Sequence, residues 1–258
     1  MYISIKANFI MCMLLNLSLF QCVNTYGTKY HEMIGSISDY YLALNNKAVP
    51  FNKEIESIES ISAWADKVKY LPDYRWTRPY HYIDTNDNPP EYCNATVKWW
   101  GNGTDGGNLM KGLNIYSNYT TADHFKLFVH FYQDLHQPLH ISGLERGGNG
   151  VLVNFMGRST NLHSTWDSLI LDTRSKIYNG VKGYKRYLIR KFNNKHSLTY
   201  EKCKDFDTIM KEHNQYNCDY VYKYLPANRV IDKNYIDKVK SKVDYLVYRA
   251  GYCLSLFI

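Results

Sequence analysis

The sequence has no internal repeat, no long block of like charge and no low-complexity stretch, which excludes a repeat array and a string of domains on flexible linkers. Strand patterning is nearly absent: sustained alternation occurs at Val151-Leu152-Val153-Asn154-Phe155, too little for a sheet-based fold. Charge is scarce at the start, where residues 1–25 carry Lys6 alone. The apolar run from Phe9 to Leu15 continues patchily to Phe20 and is broken by Asn16 and Ser18. It falls short of the roughly 20 apolar residues a spanning helix needs, and reads instead as a secretory signal peptide. Val23 and Thr25 suit the small-residue positions of a cleavage site, so Tyr26 is expected to be the first mature residue.

What is present fits one domain, residues 26–258, since a chain with 45% hydrophobic content can bury a sizeable core. The formal charge of +7 falls to +6 without the leader. That suits an anionic substrate such as nucleic acid or phospholipid but also serves solubility. Secretion removes Cys12 and Cys22, leaving Cys93, Cys203, Cys218 and Cys253. An even number in an oxidising compartment implies two disulfides, with three connectivities open. Asn94, Asn102 and Asn118 begin glycosylation sequons within one polar stretch, as expected of an extracellular or lysosome-like protein.

Apolar residues recur at helical spacing over 29–44 and 54–70, and residues 173–192, 204–224 and 233–255 can each be helical. Between Leu71 and Asn118 the Pro, Asn, Gly and Asp content predicts one long loop region. Asp123 is the expected N-cap of a helix running to about Gln137, and a further helix should begin near Asn161. The class is mainly α.

The chemistry concentrates in two clusters, His130-Phe-Tyr-Gln-Asp134-Leu-His136-Gln-Pro-Leu-His140 and His163-Ser-Thr-Trp-Asp167. His130 with Asp134, and His163 with Asp167, are i,i+4 pairs, so on a helix both side chains leave one face a turn apart and can reach one metal. A single such histidine is most often a surface or capped core residue. Two pairs with another histidine between them form a ligand pattern. Imidazole with carboxylate and no thiolate is the donor mixture of hydrolytic zinc. By contrast His124, His196 and His213 read as ordinary surface residues, His136 as packed or hydrogen-bonded, and Trp64 and Trp166 as core.

These clusters, together with Gly147-Gly148-Asn149, Trp64-Ala65-Asp66, His81-Tyr82-Ile83-Asp84 before Asp87-Asn88-Pro89-Pro90, and Tyr26 to His31, resemble the S1/P1 nuclease family. The separated motifs stand in that family's order from Tyr26 to about Cys218. The resemblance implies a single mainly α helical domain of the tri-zinc phospholipase C / P1 nuclease type. Three Zn²⁺ would lie at the bottom of a cleft: the first on Asp66, His81, His130 and Asp134, and the second on His140, His163 and Asp167. The third would be held by His31, by Asp134 as a bridge, and by the amino and carbonyl groups of Tyr26. It further implies zinc-activated attack of water on the phosphodiesters of single-stranded DNA or RNA, leaving 5′-phosphates, with 3′-nucleotidase activity as a companion.

In that pattern Asp66 and Lys69 serve catalysis, Tyr82 stacks on a base and Asp84 bonds its edge. The pattern also pairs Cys93 with Cys218, leaving Cys203 and Cys253 for each other. Tyr26 stands where the family has Trp, Lys69 where it has Arg, and Gln133 where it has Gly. Lysine keeps the charge but loses the bidentate fork. A zinc phospholipase C, and a zinc-stabilised secreted binding protein without turnover, remain the rival readings. A monomer without stable membrane association is expected.

Overall fold

The computed structural model describes residues 27–93, 107–193 and 198–258. Tyr26, Asn94, Asn102, His196 and the expected leader therefore lie outside the described residues.

Helix α1 spans Thr28–Leu44 and buries Tyr30, His31, Ile34, Ile37 and Tyr41 along one face. The periodicity over 54–70 resolves into two short helices, α2 (Ile58–Ile61) and α3 (Trp64–Val68). Helix α2 starts at a Ser57 capping box, and the Asp39 carboxylate of α1 also accepts from its Ile58 and Glu59 amides at 2.8 and 2.9 Å, while the chain turns out of helical geometry at Ala63 (φ −98°, ψ 9°) before α3. The expected loop between Leu71 and Asn118 is more ordered than its composition suggested. It holds a 3₁₀ stretch, Pro72–His81, and a helix α4, Leu109–Tyr116, capped by the Asn108 side chain and buried through Leu109, Leu113 and Tyr116. Asn118 is exposed just beyond it.

Helix α5 (Ala122–Asp134) carries the first histidine cluster, and its last seven residues are all buried. Its N-cap is Thr121 and not Asp123: Thr121 Oγ1 accepts from the His124 amide at 3.2 Å, while Asp123 sits in the first turn. Thr121→Ala is expected to cost about 1 kcal/mol, the usual worth of such a cap, read as a lowered denaturation midpoint. Past the 3₁₀ turn Pro138–His140 comes the short turn α6 (Glu145–Gly148). The alternating segment becomes β1 (Leu152–Phe155), antiparallel to β2 (Arg158–Asn161) and parallel to β3 (Val230–Ile231). The sheet is an appendage, as the sparse patterning implied.

Asn161 caps α7 (Leu162–Ser164), which runs through the π-helical turn Thr165–Leu169 into α8 (Ile170–Ile177). The chain breaks at Tyr178–Gly180 before α9 (Val181–Phe192), so the expected helix over 173–192 is two. Then follow α10 (Tyr200–Lys204), α11 (Phe206–Tyr216) and the long α12 (Lys233–Phe257). None of the helices among the described residues is long and apolar enough to cross a membrane.

Two apolar clusters meet along α1 and α12. One gathers Tyr30, Ile34, Trp166, Tyr184, Val243 and Val247, the other Ile58, Leu113, Phe125, Phe128, Tyr132 and Leu254. Disulfides Cys93–Cys218 and Cys203–Cys253 tie the irregular segment beyond the 3₁₀ stretch to the segment after α11, and α10 to α12. The segment from His130 to His140 runs between the clusters and is buried throughout. Its imidazoles are thereby held away from water.

Candidate metal centre

Asp134 ends α5 and is wholly buried. Its Oδ2 lies 3.0 Å from His81 Nδ1 and 3.3 Å from His130 Nε2; its Oδ1 lies 3.6 Å from His31 Nε2 and 3.3 Å from His140 Nδ1. One carboxylate thus touches imidazoles from α1, the 3₁₀ stretch, α5 and the turn after it. Asp66, from α3, joins this set: its Oδ1 is 3.4 Å from His130 Nε2 and 3.6 Å from His81 Nδ1. His130 Nε2 and His81 Nδ1 are 3.1 Å apart.

These separations test whether the residues suit an ion. Four donors at about 2.0–2.1 Å from a tetrahedral zinc stand about 3.3–3.4 Å from one another. The edges of the Asp66, His81 and His130 group run from 3.1 to 3.6 Å, and Asp134 stands 3.0 Å from His81 and 3.3 Å from His130. The Oδ1 atom of Asp134 makes no hydrogen bond despite its burial, nor does Oδ2 of Asp167. Buried carboxylate oxygens left without a donor are costly unless a cation meets them. The donor sets fit metal ions.

Three groups of potential ligands stand within reach of a common ion: Asp66 with His81 and His130, His140 with His163 and Asp167, and His31 with His130 and Asp134. His163 Nε2 is 3.1 Å from Asp167 Oδ2, and the His140 and His163 rings stack at 5.1 Å. Asp167 lies in the π turn, so the i,i+4 pair forms on a widened helix, a deformation that recurs at functional sites. His31 Nε2 is also 3.9 Å from Asp66 Oδ2, a neighbour the sequence did not suggest. Tyr26 is outside the described residues, but the amide of Gly27, the next residue, lies 3.3 Å from the Asp167 carbonyl oxygen.

An outer layer aims the donors. His130 Nδ1 lies 2.7 Å from the Ser62 carbonyl, His163 Nδ1 2.7 Å from the Gly147 carbonyl, and His31 Nδ1 2.6 Å from Gln133 Oε1. Gln137 Nε2 donates to Asp167 Oδ1 at 2.6 Å. Each contact turns a chosen atom inward, the arrangement that metal-binding histidines generally use. Gly147 is irreplaceable here: it has φ +61°, and a Cβ would stand 2.3 Å from the Leu139 carbonyl oxygen. Of these partners Gln133 drew notice in the sequence as a departure. Ser62, Gln137 and Gly147 carried no spacing signal for this role.

Electrostatics follow the packing. Burial holds His31 and His81 down at about 4, so both stay neutral with a lone pair to give. Burial alone would do the same to His130 and His140, but Asp134 with Asp66, and Asp134 with Asp167, push them up to about 10. Against their own burial, Asp66 and Asp134 are held well below the carboxylate range by His130 and its neighbours. Protons here occupy the electrostatic place of a cation and compete with one.

A cavity of about 660 Å³ opens beside His81, His140 and His163 and is lined also by Lys69, Tyr82, Asp84 and Arg146. Lys69 Nζ lies 2.6 Å from Asp66 Oδ1 and is buried; Tyr82 is exposed. The second histidine pair is separate. His136 Nδ1 contacts the Tyr132 carbonyl and His213 Nδ1 the Leu135 carbonyl, with the rings 5.0 Å apart. His213 is therefore a buried packing residue and not the ordinary surface histidine expected from the sequence, because α11 folds that face onto the end of α5.

Residues 26–258 match the sequence profile of the family described as S1/P1 Nuclease. Nuclease S1 of Aspergillus oryzae (strain ATCC 42149 / RIB 40) is 31% identical over 167 residues, covering 59% of this chain and 56% of that protein. Nuclease P1 of Penicillium citrinum is 32% identical over 159 residues, 55% of this chain and 57% of its own. Endonuclease 2 of Arabidopsis thaliana is 34% identical over 184 residues, 62% and 61%. The matched stretches thus span less than two thirds of these relatives. With the profile running from residue 26 to 258 over a mainly α fold, the chain belongs to the S1/P1 nuclease family.

Proposed function

We propose that this protein is a zinc-dependent nuclease that hydrolyses phosphodiester bonds in single-stranded nucleic acid to 5′-phosphate products. The observation that carries the reading is the convergence of three His/Asp donor groups, two of them sharing His130, beside a cavity with a cation and an exposed aromatic ring at its edge. Nitrogen and oxygen donors without thiolate favour zinc in a hydrolytic role. When bound, zinc supplies Lewis acidity that lowers the pKa of water and withdraws charge from a phosphoryl oxygen.

The protein's own residues do the rest. Asp134 and Asp66 hold the donor set together, and His140, His163 and Asp167 form the facing group. Lys69, 2.6 Å from Asp66 and lining the cavity, offsets negative charge on the phosphate. Tyr82 offers its exposed ring to an unpaired base, while Asp84 accepts from the base edge. A paired base cannot leave its stack without cost, which is the physical basis for single-strand preference. Cleavage of a leader before Tyr26 would free an amine to complete the His31 group, a reading supported by Gly27 lying against Asp167.

The test is hydrolysis of a single-stranded oligonucleotide, of the same sequence as duplex, and of phosphatidylcholine vesicles, each with and without a chelator. Chelator-sensitive cleavage that favours the single strand and leaves 5′-phosphates is expected. Hydrolysis of the lipid in preference to either nucleic acid would overturn the proposal. Tyr82→Ala is expected to raise KM for the single strand by roughly 5- to 150-fold, since a stacked base contributes about 1–3 kcal/mol. An unchanged KM would remove Tyr82 from the substrate site.

A further inference from the structure

Gln133 departs from the family pattern, which has no side chain there, yet it is fully buried within the ligand shell. Its two ends are both engaged. Nε2 donates to Ser62 Oγ at 2.9 Å, and Oε1 lies 2.6 Å from His31 Nδ1. Ser62 Oγ in turn donates to the Ile58 carbonyl at 2.7 Å. A hydroxyl has one proton. With that proton committed to Ile58, Ser62 Oγ can only accept from Gln133, so the amide must present its carbonyl to His31.

His31 Nδ1 must then carry the hydrogen, and the Nε2 lone pair is turned toward Asp134 Oδ1 at 3.6 Å and Asp66 Oδ2 at 3.9 Å. The same Ser62 accepts through its backbone carbonyl from His130 Nδ1 at 2.7 Å, and the His31 and His130 rings stack at 4.1 Å. Gly35, one turn beyond His31, lets this happen: a Cβ there would stand 2.2 Å from Ser62 Oγ and 2.9 Å from the Glu59 backbone.

We propose that Gln133 is a positioning residue for metal binding, locked by Ser62 and admitted by Gly35, which fixes the tautomer and ring orientation of His31 and so builds the His31 site. The inference rests on the reading of His31 as a zinc ligand. Its consequence is selective, because the relay touches His31 and His130 but none of His140, His163 and Asp167.

The experiment titrates the full chain with Zn²⁺ against a chromophoric competitor and records long-range ¹H–¹⁵N spectra of the imidazoles. Gln133→Leu, close in volume but without the hydrogen bonds, is expected to weaken one zinc site by about 10–100-fold, the usual effect of losing an outer partner, and to leave another within about threefold. His31 should change from one Nδ1–H tautomer to a mixture. Gln133→Glu, which keeps an acceptor against His31, should restore most of the affinity, and Gly35→Ala should reproduce the selective loss. Unchanged zinc affinity in Gln133→Leu, or an equal loss at every site, would overturn the proposal while leaving the nuclease reading intact. A wild-type protein that takes up no zinc through His31 would overturn the ligand assignment and the inference together.

Discussion

Asp134→Ala is expected to abolish nuclease activity and to strip metal from more than one site. A single carboxylate stands within 3.6 Å of His31, His81, His130 and His140, so its removal takes an anionic donor from the His31 group and from the neighbouring imidazoles at once. Its loss should exceed the roughly 10–100-fold effect of deleting an outer partner such as Gln133. The burial that holds these imidazoles dry also prevents water from filling the gap as a charged substitute. Elemental analysis of the purified variant, beside kcat on a single-stranded oligonucleotide, is the check. If Asp134→Ala kept most of its zinc and turnover, the central role given to this residue would be wrong.

Asp244→Ala should cause the largest loss of stability, about 3–5 kcal/mol, without touching the chemistry. Asp244 is wholly buried in α12 and accepts from Arg174 Nε at 3.0 Å, Arg174 Nη2 at 2.8 Å, Tyr184 OH at 2.6 Å and Lys191 Nζ at 2.9 Å. The fork of Arg174 is matched by both carboxylate oxygens, and the guanidinium is itself nearly dry. Removing the aspartate leaves a buried cation and a tyrosine hydroxyl with no acceptor, which is far worse than removing both charges. Thermal unfolding should fall by roughly 6–20 °C for a domain of this size. Arg174→Met combined with Asp244→Leu should recover much of the loss. Zinc content and activity of Asp244→Ala below its transition should match wild type, since none of the three ligand groups includes it. A destabilisation under about 1 kcal/mol would show that water reaches Arg174 after all.

Helices with a strong apolar stripe were legible from the chain. The expected spans 29–44 and 233–255 match α1 and α12 to within two residues, because a continuous buried face imposes its period on the sequence. Legibility failed where the backbone leaves the helix without a change in apolar spacing, and where another element supplies the decisive contact. The 54–70 pattern divides at Ala63, which leaves helical geometry between α2 and α3, a break that the apolar spacing does not show. Helix α4 hides inside a polar stretch because it is short and packs against α5. His213 was expected on the surface, yet His213 and Asn214 are both turned inward on α11.

The sequence by itself determined the kinds of donor, the two i,i+4 pairs, the class of fold and the cysteines available for pairing, since each follows from residue chemistry or from spacing along one element. Only the tertiary structure decided that His31 and His81 converge on Asp134, that Asp66 meets His81 and His130, and that Gln133 and Ser62 orient two of the imidazoles they face. Those contacts join residues 15 to 103 positions apart. Helical periodicity reaches only a few residues, so no local pattern could encode them, and the packing of α1, α3 and the 3₁₀ stretch around α5 had to supply the geometry.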